Sequence, residues 1–363
     1  MAILFGNTFQ KRDFLSYVAD PHQVAGAIIS TLSEGKADGV RIVNVRTGTG
    51  LEFSVLPGRG MDIAECSYSG KPLHFFSGTG ITSPSYYEKN GQRWLRSFYG
   101  GLLTTCGVTN SGQPSVDEGI EFGLHGRVAN AAAENLCISQ DWKADEFVIS
   151  VRGTIREAQT MAENITLTRK IATMMGSNRF QIEDNIENRG FDRQPLMMLY
   201  HFNFGFPILN KGAGLAAAII STEPRDDEAR ANDGIAKFFQ FSEPQNPINE
   251  QVYFHKVASN SDGTATVMLF NKDIGDGTSL GFAIRYSVDE LPELTEWKMM
   301  KSGCYALGIE PGTVNPIGRK LLRERGKLPF IEAQDSYHVT IDCQVIVTRD
   351  EIESVESEIK DLA

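Results

Sequence analysis

Three residues of the sequence have side chains suited to proton transfer and stand in informative surroundings. His125 precedes a glycine, His201 lies in a run of large apolar residues, and Glu310 precedes a Pro-Gly turn. An imidazole titrates near neutral pH and a carboxyl group can be tuned toward it, so such groups can exchange protons with a substrate. Each residue also has a structural interpretation: a turn-stabilising histidine, a hydrogen-bonded core histidine and a solvated turn glutamate.

The histidines and glycines form no pattern typical of a metal or nucleotide site. The six histidines include no His-x-His or His-Glu-x-x-His pair, so the sequence predicts no metal site. Residues 211–217 have the outline of a dinucleotide-binding glycine run, but no βαβ unit surrounds them, which favours a turn before a strand. We therefore expect a protein that needs no cofactor.

Short runs of alternating apolar and polar residues dominate the sequence, which is typical of half-buried antiparallel strands. Residues 40–56 and 165–186 each contain two such runs around a glycine-containing turn, and both are predicted hairpins. Further strands are predicted at 147–155, 196–204, 215–221, 265–271, 280–287, 304–310 and 337–347. Because no helices alternate with these strands, the predicted fold class is mainly β: a large antiparallel β-sandwich that forms a single domain over residues 1–363.

Two peripheral helices are predicted beside the strands. One lies near residues 11–34. The other begins at about Arg349, where apolar residues such as Ile352 and Val355 recur on one helical face and would pack on the sandwich. Segment 223–250, rich in Pro, Asp and Asn, is the longest irregular stretch, and such loops often shape binding sites.

Composition narrows the partners and the compartment. The formal net charge is −11, which disfavours binding to nucleic acid or to an anionic membrane. The N-terminal residues lack a basic start followed by a long apolar run, and no stretch approaches the roughly 20 apolar residues of a membrane helix. We therefore expect a cytoplasmic protein. Its five cysteines fit neither a zinc ribbon nor a complete disulfide framework, so most are expected to be buried thiols.

Three strings of the sequence, taken in order, resemble the motifs of the aldose 1-epimerase (galactose mutarotase-like) family. They are Leu124–Gly126, His201–Phe204 and Gly308–Pro311, and the resemblance extends over about two-thirds of the chain. The strings Leu56–Asp62 and Gly100–Gly107 resemble more closely an epimerase-like branch of this family whose substrate is unassigned. The resemblance implies a large β-sandwich that holds a sugar in a groove on one sheet.

The resemblance also implies roles for individual residues. His201 would be the general acid and Glu310 the general base, while His125 and Arg59 would position the sugar. Arg59 lies between two glycines, a setting that suits a cation in a crowded pocket but also an ordinary bulge. This chain has Phe-Asn after His201, where the family has Pro-Tyr.

The sequence contains further candidate residues for the same pocket. Trp297 would offer an aromatic platform for a sugar face, and Lys298 would donate a hydrogen bond to a sugar hydroxyl. Alternatively, the two are a core-edge tryptophan and a solvated lysine. The acidic residue that binds sugar hydroxyls in the family has two candidates in the irregular segment, Asp233 and Glu243. Weaker candidates for the pocket are Asn203, Arg127 and Arg319.

The predicted function is therefore that of an aldose 1-epimerase-like isomerase, which interconverts the anomers of a small-molecule sugar by general acid–base catalysis. The alternative is a non-catalytic carbohydrate-binding or sensing protein on the same fold, and a glycosidase or lyase ranks third because only Glu310 among the carboxylates is well placed. Arg59, Arg127 and Lys298 could converge on an anion, so the sugar could be neutral, acidic, sulfonated or phosphorylated. The oligomeric state is left open.

Overall fold

Two large antiparallel sheets form most of the computed structural model, which describes residues 1–362. In the first half of the chain the strands are β1 (Ala2–Leu4), β2 (Asn7–Phe9), β3 (Gly26–Thr31), β4 (Arg41–Arg46), β5 (Leu51–Leu56), β6 (Asp62–Tyr68), β7 (Lys71–Pro72), β8 (Phe75–Phe76), β9 (Gly100–Gly101), β10 (Leu103–Cys106), β11 (Ser115–Asp117), β12 (Ile120–Phe122), β13 (Glu134–Lys143), β14 (Glu146–Ala158) and β15 (Asn164–Met174). In the second half they are β16 (Arg179–Asn188), β17 (Gln194–Pro195), β18 (Leu199–Phe204), β19 (Ala213–Ala217), β20 (Ile219–Pro224), β21 (Gln251–Val257), β22 (Thr264–Asn271), β23 (Leu280–Ser287), β24 (Glu293–Lys301), β25 (Cys304–Gly312), β26 (Phe330–Ile331) and β27 (Ser336–Ile346).

The helices are few and short. They are α1 (Lys11–Leu15), α2 (Asp227–Arg230), α3 (Gly234–Lys237), α4 (Arg319–Glu324) and α5 (Arg349–Lys360). Short 3₁₀ turns are found at Pro21–Gln23, Gly35–Ala37, Pro84–Tyr86, Gly91–Arg96, Val128–Asn130 and Ala231–Asp233. None of the helices within residues 1–362 has the length and apolar character needed to cross a bilayer.

The eleven-stranded sheet, here called the front sheet, has the strand order β20-β21-β24-β25-β18-β10-β6-β5-β4-β3, with β7 beside β6. The eight-stranded sheet, here called the back sheet, has the order β13-β14-β15-β16-β27-β23-β22-β19. Neighbouring strands in both sheets run antiparallel. The prediction of a mainly β antiparallel sandwich is confirmed.

The core lies between the two sheets and divides each strand into two faces. Along β18, Tyr200, Phe202 and Phe204 are buried and belong to the main core cluster that includes residues of the back sheet. Because successive side chains of a strand point to opposite faces, His201 and Asn203 lie on the outer face of the front sheet. This alternation presents a histidine to the outside of a strand that is otherwise anchored in the core.

A buried charged cluster holds β18 from behind. Arg169 of β15 donates two hydrogen bonds to Asp184 of β16, at 2.8 and 2.7 Å. The Tyr200 hydroxyl donates to the same carboxylate at 2.7 Å, and Asp62 lies 3.6 Å from the guanidinium group. Burial raises the pKa of Asp62 to about 6. Removing one member of such a cluster leaves an uncompensated buried charge, so each member depends on the others.

The local predictions have mixed outcomes. The hairpins appear as β4–β5 and β15–β16, and the C-terminal helix is α5, which packs on the outer face of the back sheet through Ile352, Val355 and Ile359. The helix predicted near 11–34 is wrong, because only α1 is helical there and Gly26–Thr31 forms the edge strand β3. The β-branched Ile28 and Ile29 suit this strand, in which they are exposed.

Candidate active site

A groove of about 590 Å³ lies on the outer face of the front sheet, above β18, β25 and β24. Both candidate proton-transfer residues, His201 and Glu310, line its floor. The other lining residues are Gln92, Trp94, Leu95, Phe98, Gln113, Leu124, His125, Arg225, Asp226, Glu250, Val252, Thr295, Trp297 and Pro316.

Strand register brings His201 and Glu310 together. The antiparallel pairing that sets Phe202 opposite Ile309 also sets His201 opposite Glu310, and His201 Nε2 lies 3.1 Å from Glu310 Oε1. Gly308, two residues before Glu310, favours this arrangement, since an added Cβ would lie 2.4 Å from Glu310 Oε1 and 3.0 Å from Trp297 Cβ. The backbone of β25 thus leaves space for the carboxyl group beside the imidazole.

Burial sets the protonation of this pair. It raises the pKa of Glu310 well above its ordinary value, and the nearby carboxylate of Glu250 raises it further. It lowers the pKa of His201 to about 4. Although the two atoms are close, they are not aligned for a hydrogen bond, and Glu310 Oε1 has no hydrogen-bond partner among the described residues. Burial thus favours the neutral form of each group, and in that form the acidic proton of the pair lies on Glu310.

Aromatic rings surround the imidazole of His201. The ring centroids of Phe98, His125 and Trp297 lie 5.4, 5.7 and 5.6 Å from it. Trp94 stacks on Phe98 at 4.8 Å and contacts His125 at the same distance. These rings make a largely apolar wall that can pack against the apolar face of a sugar ring and exclude water from the pair.

A tight loop holds His125 at the groove. Its backbone has a φ of 57°, in the left-handed region that histidine adopts more often than most residues. The following Gly126 is pressed against the backbone, where an added Cβ would lie 2.2 Å from the Asn110 carbonyl oxygen and 2.3 Å from that of Gly107. Burial, and then the neighbouring His201, lower the pKa of His125 well below its ordinary value. A neutral imidazole suits hydrogen bonding to sugar hydroxyls.

A polar rim completes the groove, and sequence reasoning missed it. Arg225 binds Asp226 at 2.7 Å and Glu250 at 2.8 Å, and Glu250 accepts a hydrogen bond from Trp297 Nε1 at 2.9 Å. Arg225, Asp226 and Glu250 stand near the two ends of the irregular segment 223–250. The Pro, Asp and Asn content of that segment indicated a binding-site loop. However, Asp233 and Glu243 were the candidates selected from it to bind sugar hydroxyls, and neither lines the groove.

Comparisons with known proteins agree with this architecture. A family model described as a domain of unknown function, DUF4432, matches residues 37–345. The chain belongs to the DUF4432 family. No curated protein matches it.

Several solved structures have a fold similar to that of this DUF4432 member. A candidate aldose 1-epimerase from Klebsiella pneumoniae has a TM-score of 0.88 at 24% identity, and the match covers 94% of this chain and 90% of that one. The galactose 1-epimerase of Lactobacillus acidophilus has a TM-score of 0.59 at 11% identity, with 90% and 100% coverage. A galactose mutarotase-like protein of Clostridium acetobutylicum has a TM-score of 0.57 at 12% identity, with 90% and 99% coverage. The fold is therefore the galactose mutarotase-like sandwich.

Arg59 does not reach the groove of this DUF4432 member. Its guanidinium group is buried and donates to the carbonyl oxygens of Ala129, Thr82 and Ser97 at 2.6, 2.6 and 3.1 Å. The side chain therefore ties three loops together, and its donors are taken up by backbone acceptors. The predicted role of Arg59 in positioning the sugar receives no support from this geometry.

Lys298 lies on the opposite face of the front sheet from Trp297. Its ammonium group donates to the carbonyl oxygens of Lys237, Phe238 and Gln240, at 3.2, 3.3 and 2.5 Å. Successive side chains of β24 point to opposite faces of the sheet, so Trp297 points toward the groove and Lys298 points away from it. Lys298 thus fixes the irregular segment from below and does not line the groove.

The remaining predicted residues divide between two places. Arg127 and Arg319 line a separate cavity of about 190 Å³, and Arg319 is paired there with Asp117 at 2.8 Å. Asn203 is fully buried beside His201 and donates to backbone carbonyl oxygens. Within residues 1–362 the three cations predicted to hold an anion do not converge. Over the same residues, no cluster of three metal-ligating side chains is found.

Proposed function

We propose that this DUF4432 member is an aldose 1-epimerase-like isomerase that interconverts the anomers of a reducing sugar bound in the groove. The observation that carries the proposal is the His201–Glu310 pair, 3.1 Å apart on the floor of an aromatic-walled groove. The galactose 1-epimerase that shares the fold supports a sugar as the ligand.

The pair supplies what the reaction needs. Anomer exchange removes the proton of the C1 hydroxyl, delivers a proton to the ring oxygen and breaks the bond between C1 and that oxygen. The aldehyde then rotates, and the reverse steps close the ring, so atoms and electrons balance without redox chemistry. Transfer of the resting proton from Glu310 to His201 gives a carboxylate base and an imidazolium acid, the roles that the family resemblance implies.

The charges of the groove favour an uncharged sugar. Arg225 is the one lysine or arginine among the lining residues of the described chain, and two carboxylates already bind it. An anionic sugar would meet Asp226 and Glu250 without a free cation, and like charges in a partly buried site repel. Hydroxyl groups, in contrast, can donate to these carboxylates and accept from Arg225.

A non-catalytic sugar-binding protein is the second candidate. The observation that favours it is the deep burial of the pair: His201 is 5% and Glu310 2% exposed. Burial opposes the ionised forms that proton transfer must pass through. In this case the groove would bind a sugar and leave its anomers unchanged.

Exchange NMR on a panel of reducing sugars separates the two functions. We expect wild-type protein to accelerate anomer exchange for an uncharged aldose more than for the corresponding sugar acid or sugar phosphate. His201→Ala should abolish the acceleration while circular dichroism shows a folded chain. Saturation transfer to a bound sugar without faster exchange would favour the binding protein. Equal exchange rates for wild type and His201→Ala with the active sugar would refute the proposed role of the pair.

A further inference from the structure

Asn203 occupies a special position relative to His201. It lies two residues further along β18, on the same outer face of the strand, and its side chain is fully buried. Residues so spaced on one strand have their Cα atoms about 6.6 Å apart, within reach of two facing side chains. In the family motif that this strand resembles, a tyrosine stands at this place, so the sequence departs from the motif at Asn203.

One end of the Asn203 amide is already engaged. Its Nδ2 donates to the carbonyl oxygen of His201 at 2.8 Å and to that of Gly101 at 3.1 Å. Both donors of the amide thus face backbone acceptors, which fixes the orientation of the amide plane. The acceptor, Oδ1, is left on the other side.

Two buried polar atoms of complementary type remain unsatisfied on this face of β18. Asn203 Oδ1 and His201 Nδ1 are both buried, and neither has a hydrogen-bond partner among the described residues. An amide oxygen can only accept, whereas an imidazole Nδ1 can carry a proton and donate it. Buried polar groups are nearly always satisfied, and a hydrogen bond between these two atoms would remove both deficits at once.

We propose that Asn203 is a positioning residue that accepts a hydrogen bond from Nδ1–H of His201 and thereby leaves the Nε2 lone pair facing Glu310. The tautomer of a neutral histidine is set by the partner of its other ring nitrogen. The structural part of this inference stands alone, and only its catalytic consequence rests on the proposed function.

The consequence concerns the 3.1 Å gap between His201 Nε2 and Glu310 Oε1. With the lone pair on Nε2, His201 can take the proton of Glu310 and later pass it to the ring oxygen of a sugar. With the other tautomer, an N–H would face the protonated carboxyl group and block that transfer. The position of Asn203 agrees with this, since its amide raises the pKa of His201 against the larger lowering caused by burial.

A purely structural role for Asn203 is the competing explanation, because its Nδ2 bonds join β18 to the Gly101 carbonyl of β9. Two variants separate the roles. Asn203→Asp keeps an acceptor at Oδ1 and loses the Nδ2 donor, whereas Asn203→Leu has a similar size and loses both. If Asn203 acted only through its Nδ2 donor, both variants would change the tautomer of His201 in the same way.

The test is ¹⁵N NMR of protein labelled at its histidines, with long-range couplings that report which ring nitrogen carries the proton. The His201 signals are assigned by their loss in His201→Gln, and the exposed His338 provides an internal reference. We expect the Nδ1–H tautomer in wild type and in Asn203→Asp, and its loss or mixing in Asn203→Leu. An Nε2–H tautomer in wild type, or an unchanged tautomer in Asn203→Leu, would overturn the inference. Neither result depends on sugar turnover, so failure of the proposed function would be detected separately, by exchange NMR.

Discussion

The front sheet contains two histidine–glutamate pairs that differ only in their surroundings. His201 and Glu310 lie 3.1 Å apart on the outer face, and His255 of β21 and Glu296 of β24 lie 3.1 Å apart on the other face. In the second pair both imidazole nitrogens have partners, because Nε2 hydrogen-bonds to Glu296 and Nδ1 lies 2.9 Å from the Thr222 hydroxyl. In the first pair Nδ1 has no partner among the described residues.

The two pairs differ in what covers them. The irregular segment covers the second pair, and the ring of Phe238 lies 4.8 Å from that of His255. His255 is therefore a hydrogen-bonded core histidine. From the sequence alone, the same structural interpretation was open for His201. We call His255–Glu296 the closed pair and His201–Glu310 the open pair. A pair whose imidazole nitrogens are both hydrogen-bonded under a covering segment stabilises the fold, whereas a pair that lines a groove can engage a substrate.

The largest expected difference between the pairs is in catalysis. Glu310→Gln removes the group that accepts the hydroxyl proton, so exchange of the active sugar should slow about 100- to 10,000-fold. Glu296→Gln, the matched control at the closed pair, should stay within about threefold of wild type, because that residue does not line the groove. Exchange NMR measures both rates. A comparable loss in the two variants would show that the open pair acts only through the fold.

The pH dependence should distinguish the open pair from an exposed histidine. Burial lowers the pKa of His201 to about 4. The pair works with one proton, and a second proton on His201 leaves no acceptor, so on the acid side kcat/KM should not fall until the pH drops through about 4. An unperturbed histidine would give a fall near pH ~6.5. A profile of kcat/KM, which reports the free enzyme, decides between these values.

Replacing the histidine of the closed pair should destabilise the fold more than replacing that of the open pair, the reverse of the order expected for catalysis. His255→Leu leaves the carboxylate of Glu296 and the hydroxyl of Thr222 without their partner in a buried place, at a cost of about 1–3 kcal/mol in the free energy of unfolding. His201→Leu removes at most the one bond proposed with Asn203, whereas His255→Leu removes two, so the effect of His201→Leu should be smaller. Urea unfolding at neutral pH, with the slope compared between variants, gives both values. Greater destabilisation by His201→Leu would contradict the distinction.

The smallest expected effect concerns the wall of the groove. Trp297→Phe keeps an aromatic face but loses the Nε1–H bond to Glu250, worth about 1 kcal/mol. We expect KM for the active sugar to rise about fivefold, with kcat nearly unchanged. Phe238→Leu, which changes a ring above the closed pair, is the control and should leave KM unaltered. A fall in kcat alone for Trp297→Phe would assign the ring a role in chemistry instead of binding.

Local pattern predicted much of the fold, because hairpins and strand faces depend on neighbouring residues. Alternation in 165–186 and 40–56 gave both hairpins, and the 3.6-residue period from Arg349 gave α5. The apolar run at residues 24–29 was assigned to a helix, yet its β-branched residues form an edge strand on the neighbouring β4. Isolated apolar runs cannot distinguish a helix from a strand, since packing decides between them.

The site was only partly predictable for related reasons. The open pair was found because three strings in order resembled a family. The position of Lys298 could have been inferred from alternation, since it follows Trp297 on one strand. Arg59 could not, because the carbonyl groups that bind it come from loops distant in sequence. Asp226 and Glu250 were missed because their proximity depends on how a long irregular segment folds back.

The helix α5 gives the molecule two unequal sides. It occupies the outer face of the back sheet, while the groove opens on the outer face of the front sheet. A dye or a solid support joined at Lys360, an exposed residue of α5, would therefore attach on the side away from the groove. Protein immobilised in this way would keep the groove open to solution, so binding of a proposed ligand can be followed on a surface.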